Sequence, residues 1–206
     1  IEAGARVLVL EKAYQPGGTT RLSDGVFNAC DPKRQYPLDI HDSPERHFQD
    51  VMEQGRGKSH PNLLQAYTYG AQETFSWLEH LGFKFDDRVT QEAGTLYPRC
   101  HKPLEGGGAS YIEFLLSVLS SSLCTVAYGC EVIGLKTNSN SCPTVIVQKK
   151  GDLIELTPRK GVLLCAGGFA ANRRMVTSQF SLLTGSEYIG SMAVSYTHLT
   201  LPTKLE

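Results

Sequence analysis

The sequence has no long apolar run, no marked excess of charge of either sign and no closely spaced cysteine pair. Without some ~20 consecutive apolar residues it offers no helix able to cross a bilayer. Twenty Lys and Arg stand against 21 Asp and Glu, a formal net charge of −1, so no basic patch argues for nucleic acid. Cys30, Cys100, Cys124, Cys130, Cys142 and Cys165 show no C-x-x-C spacing, which weakens zinc and dithiol-redox readings. Most of them are expected to be free thiols packed as small apolar groups. There is no internal repeat and no low-complexity tract. What is present is an ordinary globular composition, 206 residues with 41% hydrophobic and 20% charged, long enough for one core.

Val7-Leu8-Val9-Leu10 is a continuous apolar run, as expected of a parallel strand covered on both faces. Glu11 stands where that strand leaves the sheet. Ile1 to Arg6 reads as a helix tail, a Gly stop and the entry into this strand, so the text begins inside a βαβ unit. A glycine-rich loop follows from Gln15 to Asn28, and "DPKRQ" leads into an exposed connection. "DSPERHFQDVMEQG" predicts a helix, capped by Asp42 or Ser43, with Pro44 in its first turn. "HPNLLQAYTYGAQETFSWLEHLG" predicts a second, from Pro61 to a stop at Gly82, with Leu64, Tyr67, Ala71, Leu78 and Leu81 at helical spacing and Trp77 alongside. Residues 83–107 read as irregular and "SYIEFLLSVLSSSL" as a third helix. "TVAY" and "EVIGLKT" read as strands, "PTVIVQKKGDLIELTP" as a hairpin with Gly151-Asp152 at its tip, and "GVLLCAGGF" as a buried strand running into a double glycine. "ANRRMV" opens a last helix.

Three of these segments have the chemistry of a dinucleotide site. An acid at the end of a parallel strand can accept from both hydroxyls of a ribose, although a surface acid in a turn has the same appearance. Gly17-Gly18-Thr19-Thr20 offers bare backbone N–H groups and two hydroxyls, which suit a pyrophosphate and equally suit a plain loop. Ala166-Gly167-Gly168, after an apolar run, brings main chain to the carboxyl edge of a sheet or makes a simple turn into a helix. Their order, with a helical excursion and a β-hairpin between them, is more specific than any one of them.

Through "VLVLEK…GGTTRLSDGVFNA", "DSPERHFQDVMEQG", "WLEHLGFKF", "YPRCHKPLEGGG" and "GVLLCAGGFAANRRMV" the chain resembles the flavin domain of the fumarate reductase and flavocytochrome c family of FAD-dependent oxidoreductases. The resemblance covers residues 1–193. It implies an α/β, Rossmann-like FAD-binding domain of the glutathione-reductase type, a parallel sheet with a helical excursion and a β-hairpin crossover. The first strand and its G-x-G-x-x-G loop would lie upstream of Ile1. Glu11 would bind the adenosine ribose with Lys12 beside it. Gly17, Gly18, Thr19, Thr20, Ser23, Asp24 and Gly25 would line the pyrophosphate, ribityl chain and flavin. Val132 would meet the adenine through its backbone, and Ala166, Gly167 and Gly168 would close the site.

The implied reaction passes a hydride from flavin to the double bond of a small unsaturated carboxylate such as fumarate. The electrons would come from a haem or flavin donor domain or protein. The family's proton-donating arginine and substrate clamps lie beyond "AGGF", so no catalytic residue is expected within the chain. Arg99 and His101 are candidates for the substrate pocket or for structural hydrogen bonding. Thr20-Arg21-Leu22-Ser23-Asp24 has no histidine where membrane-complex relatives attach FAD, so the flavin is expected to be noncovalent. Asp24 replaces a usual small residue, and its charge would lower the flavin potential or face solvent. "SDGVF" also resembles the ketosteroid dehydrogenase branch, which leaves a 3-ketosteroid or other 2-enoyl dehydrogenase as the alternative reaction. A flavin-free binding module and an NAD-only Rossmann enzyme are the remaining readings. The compartment, periplasm or cytoplasm, stays open.

"VSYTHLTLPT", Val194 to Thr203, matches codon by codon the translation of an adapter used in transposase-based sequencing libraries. Residues 194–206 are therefore expected to be an adapter-derived tail, leaving 1–193 as the partial FAD-binding domain.

Overall fold

The computed structural model describes residues 3–119, 123–138, 141–169 and 172–185. The expected adapter tail lies outside the described residues. Along the chain the elements are β1 (Val7–Leu10), α1 (Gly18–Leu22), β2 (Phe27–Asn28), α2 (Pro32–Gln35), α3 (Pro44–Gln54), α4 (Pro61–Leu81), β3 (Cys100–His101), α5 (Gly107–Val118), β4 (Cys124–Ala127), β5 (Glu131–Asn138), β6 (Ser141–Lys149), β7 (Asp152–Leu156) and α6 (Arg173–Gln179). They form two compact units, one from Ile1–Thr19 with Leu119–Glu206, the other from Thr20–Val118.

In the first unit β1 and β4 pair in parallel, Val7 opposite Cys124 through Leu10 opposite Ala127. β5, β6 and β7 form an antiparallel meander. The turn from β6 to β7 has both central residues at positive φ, Lys150 at 51° and Gly151 at 95°. That is the backbone of a two-residue hairpin turn, with its tip one residue earlier than the sequence predicts. The buried face of the meander, Val145 and Val147, packs with Cys130, Leu10, Ala127, Val132, Leu135, Leu156 and Val162.

Two expectations for this unit change. "GVLLCAGGF" forms no strand, and Leu163 is 88% exposed. A buried strand needs a hydrogen-bonding neighbour, and among the described residues none runs beside 161–168. Nor, among the described residues, is β1 covered on both faces: Val7, Leu8 and Val9 are all exposed, and β4 is the one described strand beside it. The parallel sheet is present, but among the described residues it is two strands wide.

The second unit is the helical excursion. Ser43 caps α3, its Oγ accepting from Arg46 N at 3.1 Å, and Asp42 is left for another task. α4 runs 21 residues and stops where Gly82 takes φ 105°. Its buried stripe is Leu64, Thr68, Ala71, Phe75 and Leu78, a four-three-four-three spacing that fits one helix face. Thr68 and Phe75 thus take the inner positions that the sequence assigns to Tyr67 and Leu81. Phe75 stacks on Phe85 at 4.1 Å between ring centres and leans on His101 at 4.6 Å. Ala29, Phe83 and Tyr111 complete the core. "DPKRQ" is a helical turn, α2, whose Gln35 is buried, and the exposed connection begins at Tyr36.

Candidate functional site

In the first unit the β1–β4 ladder continues one bond past the strand, Glu11 N donating to Ala127 O at 2.9 Å. Glu11 therefore stands at the carboxyl edge of the parallel pair. Its Oε1 accepts from Ala13 N at 2.8 Å, and its other oxygen has no protein partner among the described residues. Cys130 N donates to Glu11 O at 3.0 Å, which ties the acid to the start of β5. Lys12 Nζ lies 3.9 Å from Glu131 Oε1, and Val132, half-buried, follows in β5 opposite Val147. Gly17, Gly18 and Gly167 have positive φ. A Cβ added at Gly18 or Gly168 would meet nothing within 4 Å, so main chain borders open space at both places. Ala166 is exposed. Thr19 lies within α1, where the sequence predicts a loop.

In the second unit Ser23 and Asp24 are exposed and Gly25 is buried. This segment lies directly on the start of α5. A Cβ at Gly108 would stand 1.8 Å from Thr20 O, and one at Gly25 would stand 2.7 Å from Gly107 C. Backbone packs on backbone here, and glycine at both positions permits it. Gly108 N donates to Ser23 O at 2.9 Å, Ser23 Oγ to Thr20 O at 2.8 Å, and the Tyr111 hydroxyl to Gly25 O at 2.9 Å. Sequence reasoning used the triple glycine as part of a family resemblance and gave it no packing role. Its position just before an apolar helix was the available signal. Ser23, Asp24 and Lys102 through Gly107 line an open cleft of about 580 Å³. Lys102 sits 3.0 Å from Glu92, whose hydrogen bond raises the ammonium pKa, with Asp24 adding to the effect.

Arg99 and His101 are on and beside β3, inside this second unit. The Arg99 side chain is 3% exposed. Its Nε and one terminal nitrogen reach Asp42 at 2.9 and 2.8 Å, and that terminal nitrogen also meets Asp50 at 2.7 Å. Asp42 further accepts from Gln35 at 3.2 Å and Cys30 at 3.4 Å. Burial opposes ionisation of Asp42, yet the Arg99 hydrogen bonds and charge outweigh it and hold the carboxyl below its ordinary range. Burial, followed by the Asp42 charge, pushes the Cys30 thiol up to about 12. His101 is fully buried with Nε2 3.1 Å from Ala29 O, and its Nδ1 has no partner among the described residues. Both side chains are thus committed to holding β3, α3 and α4 together. Sequence reasoning missed the partner carboxylates, Asp42 and Asp50, and the buried His47.

His47 carries a pH prediction. It is 2% exposed and its Nδ1 lacks a partner among the described residues. Burial, and then the Arg99 charge, lower its pKa from 6.5 to about 4. The unfolded chain therefore binds the extra proton first. Stability should be complete above about pH 6.5 and fall as the pH drops towards 4, by up to about 3 kcal/mol. Urea unfolding at pH 7 and pH 4.5 should show this fall, and His47→Gln should flatten it. An unchanged slope in the variant would assign the acid sensitivity elsewhere. Asp42 acts in a separate window: its depressed carboxyl stabilises above the unfolded carboxylate pKa and loses that contribution only at lower pH still.

The donor set suits an adenine dinucleotide. A half-buried carboxylate with a spare oxygen at the edge of parallel strands matches vicinal ribose hydroxyls, and glycine backbone beside open space matches a phosphate or a flat ring. Among the described residues no group of His, Cys, Asp and Glu is placed to hold a metal ion, and no helix is long and apolar enough to cross a membrane.

Taken with the fold, these features define a Rossmann-like flavin-binding protein, and the chain belongs to the FAD-binding domain family, whose model matches residues 1–192. FAD is its cofactor. Among curated relatives, it is 28% identical over 178 residues to the NADH:fumarate oxidoreductase of Klebsiella pneumoniae, covering 85% of this chain and 19% of that protein. It is also 28% identical over 191 residues to a fumarate reductase (cytochrome) of Shewanella frigidimarina, covering 89% and 31%. The chain thus spans about a fifth to a third of these relatives. The fold matches the open conformation of a flavocytochrome c3 fumarate reductase at TM-score 0.84 and 23% identity, over 94% of this chain and 35% of that one. It matches the 3-ketosteroid-delta4-(5alpha)-dehydrogenase of Rhodococcus jostii at 0.81 and 23%, over 94% and 47%.

Proposed function

We propose that the chain is the FAD-binding part of a longer reductase acting on the carbon–carbon double bond of a small unsaturated carboxylate such as fumarate. The observation that supports this most is the likeness to fumarate reductases over 85–89% of the chain. Bound FAD supplies the hydride. Glu11 takes the adenosine ribose and Lys12 flanks it. Gly17 to Thr20, with Ser23, Asp24 and Gly25, approach the pyrophosphate, ribityl chain and ring. Val132 meets the adenine by its backbone, and Ala166 to Gly168 close the site. The flavin is noncovalent, since no histidine lies between Thr20 and Asp24. Arg99 and His101 support the site structurally. The proton donor and substrate clamps come from sequence outside the chain, and a haem or flavin donor supplies electrons.

The test uses the protein with the sequence that flanks it in its source gene. It should purify yellow, release FAD on acid precipitation, and oxidise a reduced viologen when fumarate is added. Glu11→Ala should weaken FAD binding about tenfold to a hundredfold, the loss of hydrogen bonds to a charged acceptor. A colourless protein in excess FAD would end the flavin reading. Oxidation of a 3-ketosteroid without fumarate reduction would move the reaction to the alternative branch.

A further inference from the structure

Tyr111 has a task that the FAD reading does not assign. Its side chain is buried, its ring stacks on Phe83 at 4.6 Å and 16° between planes, and its hydroxyl donates to Gly25 O at 2.9 Å. Burial raises the phenol pKa, which keeps the hydroxyl a donor at all ordinary pH. Gly25 O is the carbonyl of the peptide that joins Gly25 to Val26. In a trans peptide the C=O and the N–H point in opposite directions. With the carbonyl drawn towards Tyr111, the Val26 N–H is aimed away from the core, and it has no partner among the described residues. The rest of the segment cannot readjust independently. Ser23 O is held by Gly108 N and Thr20 O by Ser23 Oγ, while Gly25 N bonds to Ser23 Oγ at 3.2 Å. Gly25, Gly107 and Gly108 leave no room for a side chain between segment and helix. The peptide plane is therefore set by α5, and its one adjustable anchor is a single hydroxyl.

We propose that Tyr111 is a positioning residue for the flavin ring, orienting the Gly25–Val26 peptide so that the Val26 N–H is presented to the polar edge of the isoalloxazine. This rests on the reading in which Ser23 to Gly25 line FAD. A peptide free to rotate would offer that edge a carbonyl as readily as a donor. A fixed N–H discriminates between the oxidised and reduced rings, because ring N5 accepts a hydrogen bond when oxidised and carries a hydrogen when reduced. Tyr111 thus acts on affinity and on potential without touching the cofactor.

The experiment compares Tyr111→Phe with Phe83→Leu in the FAD-loaded full-length protein. Tyr111→Phe keeps the stacked ring and removes only the hydroxyl. It should raise the FAD dissociation constant about tenfold, the worth of one buried hydrogen bond, and shift both the visible flavin bands and the two-electron potential. Phe83→Leu loosens the same packing without touching the hydroxyl. It should lower the melting temperature and leave dissociation constant, spectrum and potential as in the wild type. The proposal is overturned if Tyr111→Phe binds FAD with wild-type affinity and spectrum. It is equally overturned if Phe83→Leu moves the flavin readouts as far as Tyr111→Phe does, or if Tyr111→Phe fails to fold, since the hydroxyl would then be a structural prop. A wild-type protein that takes up no FAD overturns the flavin reading itself, which separates that failure from this one.

Discussion

Arg99→Met is expected to cost about 3–5 kcal/mol of stability, the scale for removing one partner of a buried ion pair. The arginine is 3% exposed and it faces Asp42, with no exposed side-chain surface, and Asp50, which is 18% exposed. Methionine fills most of the volume, so the loss would come from two carboxylates left without a counter-charge rather than from a cavity. Asp42 would suffer more than Asp50, which can turn to solvent. The triple variant Arg99→Met, Asp42→Asn, Asp50→Asn should recover most of the loss, because no buried charge remains. Urea unfolding at neutral pH measures both. A loss below about 1 kcal/mol in the single variant would mean that water reaches the pair, as at exposed salt bridges.

Phe75→Ala should cost a similar amount, about 3–5 kcal/mol, by the usual sum of lost transfer energy and residual cavity. The ring is 2% exposed and lies among Phe27, Phe85 and His101, with the Arg34 guanidinium 5.4 Å from its centre. Four neighbours on separate segments of chain cannot all collapse into the gap. Phe75→Leu should cost less, since much of the volume is kept. Thermal unfolding of both variants gives the comparison, and equal losses would show that ring stacking, not volume, holds this core.

Phe75 also shows how far the sequence can be read. The helix containing it was legible from Pro61, from the Gly82 stop and from the recurrence of apolar residues. Its face was only partly so. Leu64, Ala71 and Leu78 fit two neighbouring stripes, and the choice between Tyr67 and Thr68 or between Leu81 and Phe75 depends on what α4 packs against. α3, the β6–β7 hairpin, α6 and the acid after β1 were legible for the same reason: each is announced by residues within a few positions of one another. The Arg99 network was not. Its partners stand 57 and 49 residues away, and no local pattern announces that Asp42 leaves the cap of α3 to Ser43. "GVLLCAGGF" marks the opposite failure. An apolar run states that a segment can be a strand, whereas being one requires a neighbour. Of the residues proposed for the flavin, Glu11 and the glycines were visible as residue types, but the anchoring of Gly25 by Tyr111 across 86 residues was not.

The first unit is split in sequence, with about a hundred residues of the second unit inserted between β1 and β4. That division orders events during synthesis. The second unit is a single stretch of chain, and its helices can pack as soon as they leave the ribosome, in line with unit-by-unit folding during translation. β1 emerges earlier, and its pairing with β4 comes only after the insertion has been made. The delay is a search problem as much as a thermodynamic one: closure entropy grows only as the logarithm of loop length, and the folded insertion brings its own ends into a fixed separation. Slower elongation or a destabilised second unit would lengthen the period in which β1 lacks its β4 partner. Variants such as Phe75→Ala should then be recovered from cells in lower soluble yield than their unfolding free energies alone imply.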